Sequence, residues 1–357
     1  MSTDAQNAAL RTGLGTGLVL VAAILLGWPL GFIAAVFVGL LAGAPAPLPV
    51  AAALRLVGET ILWMVGMWIL FSVLRPYPVV SLIAVLLLVV WVFHMAVRGA
   101  GPLDVILRLL AVLLISFTVG LSQDLAGIVA LWLPINIALA LLVTQVMFVL
   151  WPSHKVVAAA APKPPAFDPD RRLLRMSLVT LPFLVVFYLL DSGAALTLIF
   201  IAILCAFLVG ASAQSSAFAR KMMASNLIGG CVVVLVYELL VMVTFTPFMA
   251  LLLMVCCLSL ALWKHSGVST APLAGSALTA FVILIGGALA PFGEEADTKM
   301  ITRLIYVGGA FLYIVTAYVL VDHWLPERVR PVTSRRKRGG FAARPRVGER
   351  PHVVDQP

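Results

Sequence analysis

Two blocks of apolar sequence, cut apart by the polar, proline-rich segment Pro152–Arg172, constrain this chain more than any other feature. Crossing the hydrocarbon core of a bilayer takes about 20 apolar residues. The first block offers Thr12–Gly27, Gly31–Ala44, Val50–Leu74, Val79–Ala96, Leu103–Leu121 and Ile128–Leu150. The second offers Met176–Leu190, Ala194–Ala211, Met222–Thr244, Phe248–Trp263, Pro272–Ala290 and Ile301–Val321. Landmarks recur across the seam at a near-constant offset of 164 to 170 residues: Arg11 with Arg175, Arg55 with Arg220, Pro78 with Pro247, and Pro102 with Pro272. Such spacing indicates an internal duplication. Six runs per block is an even number, so both copies enter the bilayer from the same side and are related as parallel repeats. The expected fold is an all-α integral membrane protein of about twelve transmembrane helices in two parallel six-helix repeats. Its divisions are residues 1–151 (first repeat), 152–172 (cytoplasmic linker), 173–325 (second repeat) and 326–357 (basic tail).

Composition excludes the soluble classes. Hydrophobic residues make up 62% of the chain and charged residues 11%, about half the charge a soluble domain carries. The N-terminal apolar run leads straight into further membrane segments and has no Lys or Arg before Arg11, so a cleaved signal is not expected. Cys205, Cys231, Cys256 and Cys257 lie in apolar runs without metal-ligand spacing and read as small core residues.

The net charge of +9 is unevenly placed: from Glu327 onward, eight Arg and one Lys face three acids. That tail suits anionic lipid better than nucleic acid, since only one aromatic residue, Phe341, lies among its cations. With the N-terminus inside, Arg55, Arg98, Arg108, Arg220, Lys221, Lys264 and the tail fall on the cytoplasmic side, and Arg75 is the exception. Both termini are expected in the cytoplasm, in keeping with the positive-inside rule.

Charged groups inside spans are costly and need a reason. Glu59 follows Arg55 by four residues, so both share a helix face. An interfacial salt bridge and a proton-titrating carboxylate with a basic lip are the two readings; Arg220, followed by Ser225 and Asn226, is the counterpart in the second block. Glu238 has no cation nearby in sequence, which makes it the strongest proton-site candidate, against a satisfied structural hydrogen bond. Asp104 and Arg108 form a second four-residue pair that reads as local pairing. Asp191 reads either as a helix cap or as a gate residue. His94 and His265, at cytoplasmic helix ends, are expected to face headgroups. Glycines at four-residue spacing in the first hairpin (Gly13 and Gly17, Gly27 and Gly31, Gly39 and Gly43) point to close helix packing.

No phosphate-binding loop, nucleophile elbow or zinc-protease pair occurs in the sequence. Neither an enzyme nor a cofactor or metal is therefore expected.

The early Arg11, the short hairpin broken at Trp28-Pro29, and Leu54-Arg55-Leu56-Val57-Gly58 opening a long third span together resemble the fusaric acid resistance (aromatic acid exporter) family. The likeness is to its compact branch, lacking the large cytoplasmic domains. In the second block Ala219-Arg220-Lys221 keeps the cation but not the glycine. The resemblance implies a bacterial inner-membrane efflux component for small aromatic or organic acids or drugs. It also implies work with a periplasmic membrane-fusion adaptor, an outer-membrane channel being a further partner of such systems. Proton drive is expected through Glu59 or Glu238, with Asp191 as a further candidate, and Arg55, Arg220, Asp104 and Arg108 as interfacial or anion-facing groups. A homo-oligomer is compatible with this. A non-transporting envelope scaffold and an anion channel are the alternatives.

Overall fold

The computed structural model describes residues 3–153, 168–190, 215–243 and 245–289, and parts of 309–325. Among the described residues every regular element is a helix. They are α1 (Thr3–Leu25), α2 (Gly31–Leu41), α3 (Val50–Leu74), α4 (Pro78–Val97), α5 (Pro102–Leu121), α6 (Gln123–Leu150), α7 (Pro169–Leu190), α8 (Ser215–Met242), α9 (Thr246–Lys264) and α10 (Ala271–Ala288). Eight are long and apolar enough to cross a membrane: α1, α3, α4, α5, α6, the Met223–Met242 part of α8, α9 and α10. The chain is a multi-pass, all-helical membrane protein.

Local sequence explains where these helices start. Proline occupies the first turn of α4, α5, α9 and α10, where its missing N–H costs nothing and its fixed φ suits the helix. Ser122 caps α6 by accepting from the backbone N–H of Leu125. Outward faces are strongly apolar and exposed, with Leu62, Val73, Leu87, Leu131, Val149, Leu235 and Leu251 all on the surface. Such faces are stable only against lipid tails or other apolar partners.

The sequence places a span at Gly31–Ala44, and the structure shortens it. The 11 residues of α2 rise only about 16 Å, roughly half the hydrocarbon core. Non-helical backbone follows, and at such depth its carbonyls must find protein donors. Side chains from neighbouring helices supply them. Arg11 of α1 donates to the carbonyls of Ala42 and Ala44 at 3.3 and 3.4 Å. Gln145 of α6 donates to Leu48 O at 2.6 Å, and Asn136 of α6 to Pro29 O at 3.1 Å. The broken hairpin is thus held at both ends by α1 and α6.

The packing scheme has a regular form. Within the first block α5 packs on α3, α4 and α6; in the second, α10 packs on α8 and α9. Between blocks, α1 lies along α9, α4 along α7, and α2 against α10. The α1–α9 seam is close because glycines line it. A Cβ on Gly13 would sit 2.7 Å from Leu258 Cα, and one on Gly17 would sit 2.6 Å from Met254 Sδ. Gly286 of α10 performs the same service for Phe32, with only 2.2 Å to a Cβ in its place. Gly13 and Gly17 thus make the close approach that the glycine spacing suggests, whereas Gly27, at a φ of 59°, has nothing within 4 Å and serves the turn after α1 instead.

Candidate functional site

Two gatherings of charged and polar side chains among the described residues lie toward the end of the bundle where α1, α3, α5 and α10 begin.

The first lies between α3, α4 and α5. Leu56, Glu59, Thr60 and Trp63 present one face of α3 to Asp104, Leu107 and Arg108 of α5, around a cavity of about 10 Å³. That is room for about one water molecule. Arg55 Nε donates to Glu59 Oε1 at 2.7 Å, as the four-residue spacing predicts. The second pairing differs from expectation. Arg108 does not bind Asp104 one turn away; it reaches across to Glu59 Oε2 at 3.6 Å. Its guanidinium also lies over the Trp63 ring, 5.6 Å from the centroid, and donates to Met95 Sδ at 3.5 Å. The reason is geometric: Asp104 sits in the first turn of α5, where the helix dipole favours an acid, and its carboxylate turns back toward Gly101. Four residues singled out from sequence, Arg55, Glu59, Asp104 and Arg108, are therefore neighbours. Arg55 is well exposed, so its ion pair with Glu59 is a modest stabiliser.

The second gathering was not foreseen from the sequence. Arg11, only 2% exposed, spends its guanidinium on three carbonyls. Besides Ala42 and Ala44 it donates to Trp151 O at 2.9 Å, and its Cζ stands 4.1 Å from the Phe148 ring centroid. The carbonyls lie just past the C-termini of α2 and α6, where the dipoles favour a cation. Lys264, the last residue of α9, turns inward to donate to Gly39 O of α2 at 3.3 Å. Room for it comes from Gly43, where a Cβ would stand 2.7 Å from its Nζ. His265 does not face headgroups as expected; its Nε2 stands 3.4 Å from Thr12 Oγ1. The Thr12 hydroxyl proton is committed to Ala8 O, so the ring nitrogen is the donor in that contact. Partial burial, with the nearby charges of Lys264 and Arg11, pushes the His265 imidazole down to about 4, keeping it neutral near pH 7. Thr16, wholly buried, faces the same junction: its Oγ1 lies 3.0 Å from where a Gly39 Cβ would be.

The remaining candidates stand apart. Glu238 lies on the exposed face of α8, one turn before its C-terminus, beside exposed Leu235, Val241 and Met242. It joins neither gathering. Asp191 falls outside the described residues, as do the expected span Ala194–Ala211 and the tail at 326–357. Arg220 lies in the first turns of α8. Of the cysteines, Cys257 is buried, Cys256 half-buried and Cys231 exposed; Cys205 lies outside the described residues.

No family model, curated protein or solved structure matches this chain.

Proposed function

We propose that this chain is a membrane transporter of small organic anions, built from two parallel repeats and working in the bacterial inner membrane. The observation that carries the proposal is the placing of one buried and one half-buried cation, without carboxylate partners among the described residues, where the two blocks meet. Arg11 of the first block and Lys264 of the second both sit there on backbone carbonyls. Charge buried at such cost inside a membrane bundle is characteristic of substrate or ion paths. The pairing scheme supports the duplication. The contacts of α3, α4 and α5 recur as those of α8, α9 and α10, and the first helix of each block lies on the fourth of the other. Buried Arg11 and Arg175 occupy equivalent places in that scheme. Twelve spans, cytoplasmic termini, an adaptor partner and membership of the fusaric acid resistance family belong to the same proposal.

Proton drive is part of it, and Glu238 is the residue to test, because Glu59 is held between two arginines. The direct experiment compares accumulation of labelled p-hydroxybenzoate in cells with and without the chain and its adaptor, with and without an uncoupler. Lower accumulation, reversed by the uncoupler, supports a proton-coupled exporter, and Glu238→Gln then abolishes export at normal expression. Voltage-driven currents without proton coupling would indicate the anion channel. No difference across a panel of acids would favour the scaffold.

A further inference from the structure

The threonines of this bundle have a common habit. Thr12, Thr60, Thr118, Thr144, Thr279 and Thr316 each donate their hydroxyl to the carbonyl four residues back, the usual way a helical threonine satisfies itself in an apolar setting. Thr16 does not. It is 0% exposed, and its Oγ1 has no hydrogen-bond partner among the described residues. The hydroxyl is instead turned toward Gly39, the residue whose carbonyl accepts from Lys264. An unmade hydrogen bond in a dry setting is costly, and the default partner, Thr12 O, lies one turn back on the same helix.

Lys264 presents the matching deficit. An ammonium has three donors, and only Gly39 O receives one among the described residues. Among the described residues no carboxylate pairs with it. The acid acting on Arg11 is Asp4, two turns nearer the start of α1. His265 is held neutral by its partial burial first and by the charges of Lys264 and Arg11 second, so it adds no charge to the junction.

We infer that Lys264 and Thr16, at the crossing of α1, α2 and α9, form a binding site for a small monoanion, either a carboxylate head or a halide. Unused ammonium donors supply the charge and the Thr16 hydroxyl supplies a directed donor. Arg11, one turn away and committed to carbonyls, adds long-range attraction without a direct contact. Gly39 of α2 and Gly43 just beyond it leave this point free of side chains. The inference rests on the organic-anion proposal and narrows it to a place where the anionic group is received.

The experiment uses the full-length protein in lipid nanodiscs, titrated with benzoate and separately with chloride against a gluconate background, followed by calorimetry. Binding of either anion is expected, weakened at least tenfold in Lys264→Gln and about fivefold in Thr16→Val, with Arg98→Gln, at the exposed end of α4, unchanged. Thr16→Val preserves shape, so it keeps the test open if the lysine variant fails to fold. Benzoate binding that chloride does not displace identifies a carboxylate site, and equal competition identifies a halide site; both support the inference. Absence of binding to the wild type, or unchanged binding in both variants, overturns it. Export in the cellular assay separates the two claims. Export that survives Lys264→Gln and Thr16→Val sinks this site and leaves the transporter standing. Lys264-dependent binding without export does the reverse.

Discussion

Arg11 shows how much one side chain can hold in this bundle. Its three carbonyl partners lie where α2 and α6 end, and no other described donor serves them. Replacing it with Met leaves three buried carbonyls to relax or stay unpaired, at about 1–3 kcal/mol each. The expected loss is about 3 kcal/mol or more, read as a lower midpoint in denaturant titration of bicelle-reconstituted protein; Arg11→Lys recovers only part, because a point charge cannot span three acceptors. His265 gives a pH signature. The fold holds its ring neutral down to about 4, whereas the unfolded chain takes up a proton near 6.5. Stability is therefore flat above pH 6.5 and falls as pH drops from 6.5 toward 4. His265→Gln should remove that part of the slope in thermal melts across pH. A melt series with identical slopes in the two proteins would contradict the burial seen here.

At the scale of elements, the α1–α9 seam depends on glycine. Gly13 meets Leu258 backbone, which cannot yield, so Gly13→Val should separate the helices and cost about 1–3 kcal/mol or more. Gly58 and Gly66 of α3 face open space, so alanine at either is tolerated or slightly stabilising. Parallel thermal melts of the three variants check this contrast. Glycine spacing made the close approach legible in sequence. Which helix approached was not legible, because one glycine stripe fits any apolar partner. The same holds for the α3–α5 cluster. The Arg55–Glu59 pair is local and could be read from spacing, while the choice of Glu59 over Asp104 by Arg108 required knowing that α5 lies on α3.

At the scale of the whole molecule, the two blocks are interleaved rather than side by side, since α1 lies along α9 and α7 along α4. A single substitution tests this. A Cβ at position 17 would stand 3.5 Å from the Cβ of native Cys257, within disulfide range. Mild oxidation of Gly17→Cys should therefore link the blocks. With a protease site engineered between α6 and α7, the two fragments should stay joined on a non-reducing gel and part on reduction. Fragments that part without reductant would rule out the interleaved packing.

The sequence alone determined the class of protein, most span positions, the helix starts at Pro78, Pro102, Pro247 and Pro272, and the recurrence of landmarks across the seam. These follow from hydropathy and backbone chemistry, which act within one stretch of chain. Tertiary structure decided the length of α2, the partners of Arg108, and the inward turn of Lys264 and His265 toward α1. Those outcomes depend on which helices meet. Lys264 and Gly39 lie 225 residues apart, and no local pattern in either helix could announce that one would supply the acceptor for the other.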